Sequence, residues 1–549
     1  MSLATIYSRA RVGVASPLVT VETHISNGLP SLNIVGLPEA AVREAKDRVR
    51  SAIINSHFEF PTRRVTINLA PADLPKEGGR YDLAIAISVL AASGQLGEVS
   101  LGDTEFIGEL ALSGDIRGVP GLLPSAIACH EANRQLILPE DNQDEAALVE
   151  GNAVYAKHLT QVTAHLLKMN PLPHCESKPV ASLPLNHKDM RDVKGQYQAR
   201  RALEVAAAGG HNLLFIGPAG TGKTMLASRL PSIMPAMTEQ EALSVASVQS
   251  VAGRKMGLDW YWSERPFRSP HHSCSAAALV GGGSIPKPGE ASLSHNGVLF
   301  LDELPEFDRK VLEVLREPLE NGEVHISRVR GQVTFPARFQ LVAAMNASNE
   351  AYTGGQDYYQ SSASQKYLKK LSAPFLDRID LHVEVPPLPS NVLVNAQEEG
   401  ECSASVRERV EKAVARQRAR QGVQNALLSG RQLEQICALS EEDKHFMQQA
   451  LETLKLSARA YHRVLKVALT LADLNDSPVT RGSPYGVFEL SENGENARER
   501  RVFLVVLVSN RFNYLMRKFA IEHIFGVIKS RCLIYLHKLD KIKRRLVGE

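Results

Sequence analysis

The sequence predicts a multidomain chain: an α+β domain, an α/β core built on a parallel sheet, and a helical subdomain. Three observations predict it. Residues 1–168 alternate short β-branched runs with Gly/Pro turns, interrupted by two helical patterns. Continuous apolar runs at Leu213–Ile216, Val298–Leu301 and Phe339–Ala343 stand between helical segments, as strands covered on both faces of a parallel sheet do. Residues 390–475 are helical in pattern and poor in glycine, with alternating charge over Val406–Arg420.

In the first domain, Val65–Leu69 and Gly108–Gly114 read as β segments between turns. Pro38–Ile54 reads as a helix with Ala41, Ala45, Val49, Ala52 and Ile53 on one face. Tyr81–Ala92 is almost wholly apolar, which predicts a buried helix. Four prolines between Asn170 and Pro184 can continue neither a helix nor a central strand, so residues 169–188 are expected to link two domains. The α/β core is expected over 189–389 and the helical subdomain over 390–475.

Composition is that of an ordinary soluble globular protein, with 44% apolar and 22% charged residues. That excludes disordered, collagen-like and disulfide-stapled classes. The 63 Lys/Arg against 60 Asp/Glu leave a net charge of only +3, so whole-chain charge does not announce a nucleic-acid binder. Six cysteines without CxxC spacing argue against a zinc site and fit a reducing compartment. The N-terminus lacks the apolar core of a signal peptide, and no apolar run approaches the roughly 18 residues that span a bilayer. A cytoplasmic protein without membrane partners is expected.

Residues 217–224, Gly217-Pro218-Ala219-Gly220-Thr221-Gly222-Lys223-Thr224, match the P-loop pattern GxxxxGK[ST] between an apolar strand and a helical run. Glycines let the backbone curl so that N–H groups face phosphates. Lys223 would then reach the β- and γ-phosphates of ATP, and the Thr224 hydroxyl would ligate Mg2+. The run Val298–Leu301 ends in Asp302 and Glu303, which places two carboxylates at the sheet edge where open α/β folds bind ligands. Asp302 would hold Mg2+, and Glu303 would polarise the attacking water. Asn346, ending the next apolar strand, could orient that water or sense the γ-phosphate. Arg378, just before a further strand, could neutralise charge on the γ-phosphate in its own subunit or in a neighbour's.

This set, with the stretches Phe267-Arg-Ser-Pro-His-His-Ser273, Ala278-Leu-Val-Gly-Gly-Gly-Ser284 and Gly289–Phe307, resembles the magnesium-chelatase-like branch of the AAA+ ATPases, and within it the YifB/ComM proteins. The resemblance covers residues 1 to about 475. It implies an AAA+ P-loop core with a helical lid. It also implies an ATP- and Mg2+-dependent ring, a homo-oligomer of six, acting on branched or single-stranded DNA without sequence preference. ComM proteins are branch-migration helicases that extend recombination intermediates in natural transformation, so recombination proteins are expected partners. Carried over by position, Lys223 and Thr224 are the Walker A pair, and Asp302 and Glu303 the Walker B pair. Asn346 is sensor 1, Arg378 the arginine finger and Arg459 sensor 2, reaching the nucleotide from a lid above it; Arg463 competes for that last role.

The N-terminal domain resembles the Lon-type proteolytic fold, of the ribosomal S5 domain 2-like kind. The stretch Pro75–Ala84 puts Arg80 or Tyr81 where the serine nucleophile would stand, and Gly121–Ala128 contains no lysine. A non-catalytic scaffold is therefore expected.

Two further features carry expectations. Asn321–Phe335 alternates apolar and polar residues around a turn, which predicts a β-hairpin. In rings of this branch such a hairpin points at the pore, so Arg328 and Arg330 are candidate phosphate contacts. Lys287 in a Gly-rich loop is a second candidate. His271 and His272 look like a metal pair, but adjacent residues rarely share one ion; a polar structural or nucleotide-proximal role is the alternative. Relatives carry cysteines after the sensor asparagine where Asn346–Gly355 has none, so no metal finger is expected there. Residues 476–549 carry 14 Lys/Arg, 8 Asp/Glu and 8 aromatics, a composition shift that sets them apart as an atypical basic-aromatic tail, disrupted or fused after about residue 475. An ATP-dependent chelatase-type subunit that remodels a protein partner for metal insertion is the alternative function.

Overall fold

In the computed structural model, described residues are 3–36, 40–76, 78–176, 188–254, 264–283, 286–328, 331–346, 371–388, 400–437, 441, 445, 448, 451–452 and 457–475, with backbone alone for 40–43, 328 and 331. The tail, Arg330, the side chain of Arg328 and residues 347–370 lie outside them.

The N-terminal half is a mixed sheet. Its strands are β1 (Leu3–Arg9), β2 (Leu18–Ser26), β3 (Ser31–Val35), β4 (Arg64–Ala70) and β5 (Thr104–Phe106); a short hairpin, β6 (Glu109–Leu110) and β7 (Ile116–Arg117), precedes β8 (Gln135–Pro139) and β9 (Ala153–Ala156). The order is β3-β4-β2-β1-β5-β8-β9, antiparallel at β1–β2 and β2–β4 and parallel elsewhere. The apolar helix Asp82–Ala92 is buried along nearly its whole length, as a helix without a polar face must be. The strand expected over Gly108–Gly114 shrinks to Glu109–Leu110, because Gly114 at φ +98° turns the chain back into β7. One buried ion pair ties two strands: Arg9 donates Nε and Nη2 to Glu105 at 2.7 and 2.8 Å.

The core sheet contains β10 (Leu213–Gly217), β11 (Phe267–Arg268), β14 (Val298–Leu301), β17 (Gln340–Asn346) and β18 (Leu381–Glu384), all parallel, in the order β11-β14-β17-β10-β18. Between them lie the small pairings β12 (Gly281–Gly282) with β13 (Lys287–Pro288), and β15 (Glu323–Arg328) with β16 (Gly331–Pro336). Successive residues of β10 serve opposite faces. Leu213 and Phe215 enter the cluster that holds helix Tyr197–Gly209, and Leu214 and Ile216 enter the one that holds the β15–β16 hairpin. This two-sided burial is why the strands read as continuous apolar runs rather than alternating ones.

Helices Ser403–Gln421 and Ala458–Leu474 close over the first face. Polar links lock them. Arg420 binds buried Asp473 at 2.7 Å, and His211, which precedes β10, shares a 2.9 Å hydrogen bond with Thr470. The two halves of the chain also touch. A tight turn, Val12 to Ala15, lays Val12 and Val14 on the hairpin-side cluster. Gly13, at φ +61°, sits so close to β16 that an added Cβ would fall 2.6 Å from a Val333 methyl. Ser250, at the end of helix Glu239–Val251, donates to Glu145 of the N-terminal half.

Candidate active site

The strand register decides what can meet. Gly217 lies opposite Asn346, and Leu301 opposite Ala343, so the P-loop, Asp302, Glu303 and Asn346 all emerge at the C-terminal edge of the sheet. Within the loop, Gly220 and Gly222 hold φ of +79° and +89°, and nothing lies within 4 Å of where a Cβ would stand. That is an open cradle whose backbone conformation only glycine takes without strain. Thr221 closes the curl by donating to the Pro218 carbonyl at 3.0 Å, with Ala219 and Gly220 between them. Gln196 braces the loop from outside, donating to the Pro386 carbonyl at 2.8 Å and the Thr221 carbonyl at 3.4 Å.

Lys223 is 6% exposed and donates Nζ to the carbonyls of Gly217 and Pro218, at 2.9 and 2.7 Å. Burial pushes its ammonium pKa down, against the pull of Asp302. Thr224 donates its hydroxyl to Asp302 Oδ2 at 2.7 Å. A hydroxyl and a carboxylate converging at this spacing form a hard-oxygen pair of the kind Mg2+ takes, so the donor set fits that ion. Glu303 occupies the left-handed region, at φ +52° and ψ +46°, an uncommon conformation for a residue with a Cβ. That turn swings its side chain out of the strand line, half-exposed, where the His272 Nδ1 stands 3.4 Å from its carboxylate. The His272 ring lies against that of His271, tilted by 35° with centroids 4.1 Å apart, and meets Phe307 edge-on. Among the described residues no group of three or more His, Cys, Asp or Glu could hold a metal. Sequence reasoning did not find the His272–Glu303 pairing, although the histidine pair following a short edge strand was its signal.

Arg378 stands elsewhere. Leu381 lies opposite Leu213, so Arg378, three residues earlier, sits at the N-terminal edge of the sheet; its carbonyl accepts from Asn212 at 2.8 Å. Four residue steps of β10, roughly 13 Å, separate the two edges. Arg378 donates to Glu320 and to the Pro374 carbonyl, and burial lowers its pKa while Glu320 raises it. Arg459 also lies 3.3 Å from Glu320, so the structure brings Arg459 to Arg378 and not over the P-loop of its own chain, as the lid picture expected. The physical reason is anchoring of its helix at the same edge: Arg463, the competitor residue, is 8% exposed and donates to the Ile379 carbonyl at 2.8 Å.

The buried His295 supports the turn into β14. Its Nδ1 accepts from the Arg338 amide at 3.1 Å, and its Nε2 meets the Ser244 hydroxyl at 3.0 Å. Burial, with the Arg338 charge second, pushes its pKa from 6.5 to about 4. Between those values the unfolded chain binds the proton that the folded one refuses, so stability rises with pH across that window. Lowering the pH from 7 to 5 is expected to remove about 2 kcal/mol through this group. Urea unfolding at both pH values checks it: His295→Gln should lose roughly that much less than the parent chain. Equal losses would show that the ring is not held neutral.

Among the described residues, no helix is long and apolar enough to cross a membrane. Three family models match the chain: magnesium chelatase, subunit ChlI, over 189–393; subunit ChlI of Mg-chelatase over 21–142; and the ChlI C-terminal region over 400–483. The competence protein ComM of Haemophilus influenzae is 53% identical over 480 residues, 86% of this chain and 94% of that protein. The YifB protein of Escherichia coli is 51% identical over 481 residues, covering 87% of this chain and 95% of YifB. Salmonella typhimurium YifB is 52% identical over 476 residues, covering 86% and 94%.

Proposed function

The chain belongs to the magnesium-chelatase ChlI family of AAA+-like ATPases, in its YifB/ComM-type branch, and from that premise we propose that it is an ATP-hydrolysing ring motor acting on DNA. One observation carries the ring: the residues suited to hydrolysis stand on two opposite sheet edges. Lys223, Thr224, Asp302, Glu303 and Asn346 gather at one, and Arg378 and Arg459 at the other. An arginine side chain cannot span roughly 13 Å to its own P-loop, but an edge-to-edge neighbour would bring it there. Assembly into a closed ring of six chains completes every site.

In that ring the P-loop amides and Lys223 bind the β- and γ-phosphates of ATP. Mg2+, held by Thr224 and Asp302, supplies charge neutralisation on the phosphate oxygens. Glu303 orients and polarises the attacking water, with Asn346 beside it to fix its position. The neighbour's Arg378 neutralises the charge that develops on the γ-phosphate.

The DNA assignment rests on the β15–β16 hairpin and on the competence role in the name of ComM. Arg328, with which β15 ends, and Arg330, two residues on in the sequence, bind phosphates, and hydrolysis moves the hairpins along the strand, driving branch migration in homologous recombination during natural transformation. The ChlI name of the matching models favours one other reading, a chelatase-type subunit that remodels a protein partner for metal insertion. ATP turnover with and without forked DNA separates them. The motor speeds up with DNA and the chelatase subunit ignores it. Changing Arg328 and Arg330 together to Ala is expected to cut DNA stimulation several-fold, leave basal turnover, and flatten the salt dependence by about one unit of slope per arginine. Unchanged stimulation would move the DNA path elsewhere.

A further inference from the structure

Glu320 is absent from every role described so far, yet it sits where two cations meet. It lies in the last turn of the helix Arg316–Asn321, and its Oε1 accepts from Arg378 Nη2 and lies 3.3 Å from Arg459 Nη2. Two guanidiniums share one carboxylate oxygen. Arg378 is nearly enclosed, its side chain 8% exposed, and its Nε has no hydrogen-bond partner among the described residues. Glu320 and Arg459 are open to solvent, at 45% and 57%. Glu320 and Arg378 line a cavity of about 610 Å3 together with Arg316, Gly281 and Ser327. The nearby acids are otherwise engaged: Glu313 binds Arg316 at 2.8 Å, and Glu317 faces His325 at 3.9 Å.

Two like charges about 4 Å apart repel by about 1 kcal/mol in water and by more where water is excluded, so an anion between them is stabilising. In the single chain that anion is Glu320. In a ring it would be the γ-phosphate of the adjoining nucleotide, which carries more charge and presents three oxygens to a guanidinium pair. We propose that Glu320 is a positioning residue that stands in for the neighbour's γ-phosphate, holding Arg378 and Arg459 together in the free subunit and releasing them when ATP arrives at the joint. This inference rests on the reading that Arg378 acts on a neighbouring subunit. No bond is made or broken; one anion replaces another. The exchange makes assembly sensitive to ATP over ADP, because only the triphosphate outcompetes the carboxylate. Arg459 lies in the first turn of the helix Ala458–Leu474, so the exchange also reports the state of the joint to the C-terminal helices.

The test is ring assembly of the full chain, followed by sedimentation velocity while ATP or ADP is titrated, with Glu303→Gln as the background so that ATP persists. Glu320→Gln keeps the side chain's shape and removes the competing charge. It should lower the ATP concentration at half-assembly about twofold to fivefold, the size of one exposed charged contact, and lower the ATP KM in parallel in the hydrolysing parent. It should also let ADP support partial assembly. Glu320→Asp retains the charge and should stay near the parent. An unchanged or raised ATP midpoint for Glu320→Gln overturns the inference; thermal melting of both variants shows that they fold. Arg378→Gln, followed for assembly on the Glu303→Gln background and for turnover with Glu303 intact, separates the two layers of the argument. If it assembles and turns over like the parent, the neighbouring-subunit reading falls. If it loses turnover while Glu320→Gln shifts nothing, only the role of Glu320 falls.

Discussion

Glu303→Gln is expected to bind ATP as the parent does and to hydrolyse it roughly a hundredfold to ten-thousandfold more slowly, the range that a lost general base costs. The expectation follows from placement. Glu303 leaves the end of β14 in a left-handed turn and its side chain is 48% exposed, so the amide removes basicity without opening a hole in the core. Its carboxylate pairs with His272 at 3.4 Å, a contact that an amide oxygen keeps. Single-turnover hydrolysis beside an equilibrium binding assay separates the two effects, and rings should accumulate with ATP bound. Normal turnover in this variant would remove Glu303 from the chemistry and hand the water to another group.

Arg378→Ala is expected to cut turnover about a thousandfold or more, as loss of an arginine that neutralises a transferring phosphoryl group does, with ATP binding retained. The register of β18 against β10 makes a sharper statement possible. Subunits with Arg378→Ala keep an intact P-loop, and subunits with Lys223→Ala keep an intact arginine. Each is inactive alone. Mixed together they should recover part of the turnover, because a joint between the two kinds contains one working half from each. An arginine serving its own subunit gives no recovery, and a dead mixture would refute the ring argument.

What was legible in the sequence is what neighbouring residues carry. The parallel sheet was legible because Leu213–Ile216 and Val298–Leu301 are apolar on both faces, and the hairpin because Val324, Ile326, Val333 and Phe335 alternate with polar residues. The P-loop was legible because its glycines and Lys223 fall within seven consecutive residues, 217–223. Arg378 and Arg459 were named one by one, but their meeting at Glu320 was not, since it depends on helix packing across 139 residues of sequence. The same holds for His295, whose environment comes from Ser244 and Arg338 on two other segments. Local pattern reveals strands and loops; shared partners appear only when the strands are placed in register.

The Val12–Ala15 turn carries a consequence for how the two halves are joined. Val12 and Val14 are seated in the same apolar cluster as Val333 and Phe335, and Gly13 leaves no room between them. That seat joins the two halves independently of the proline-rich stretch after residue 170. Closure entropy grows slowly with loop length, so lengthening that stretch would scarcely loosen the seat. A single methyl at position 13 would disturb it more than several added residues, and any lever the N-terminal half exerts bears first on the root of the hairpin.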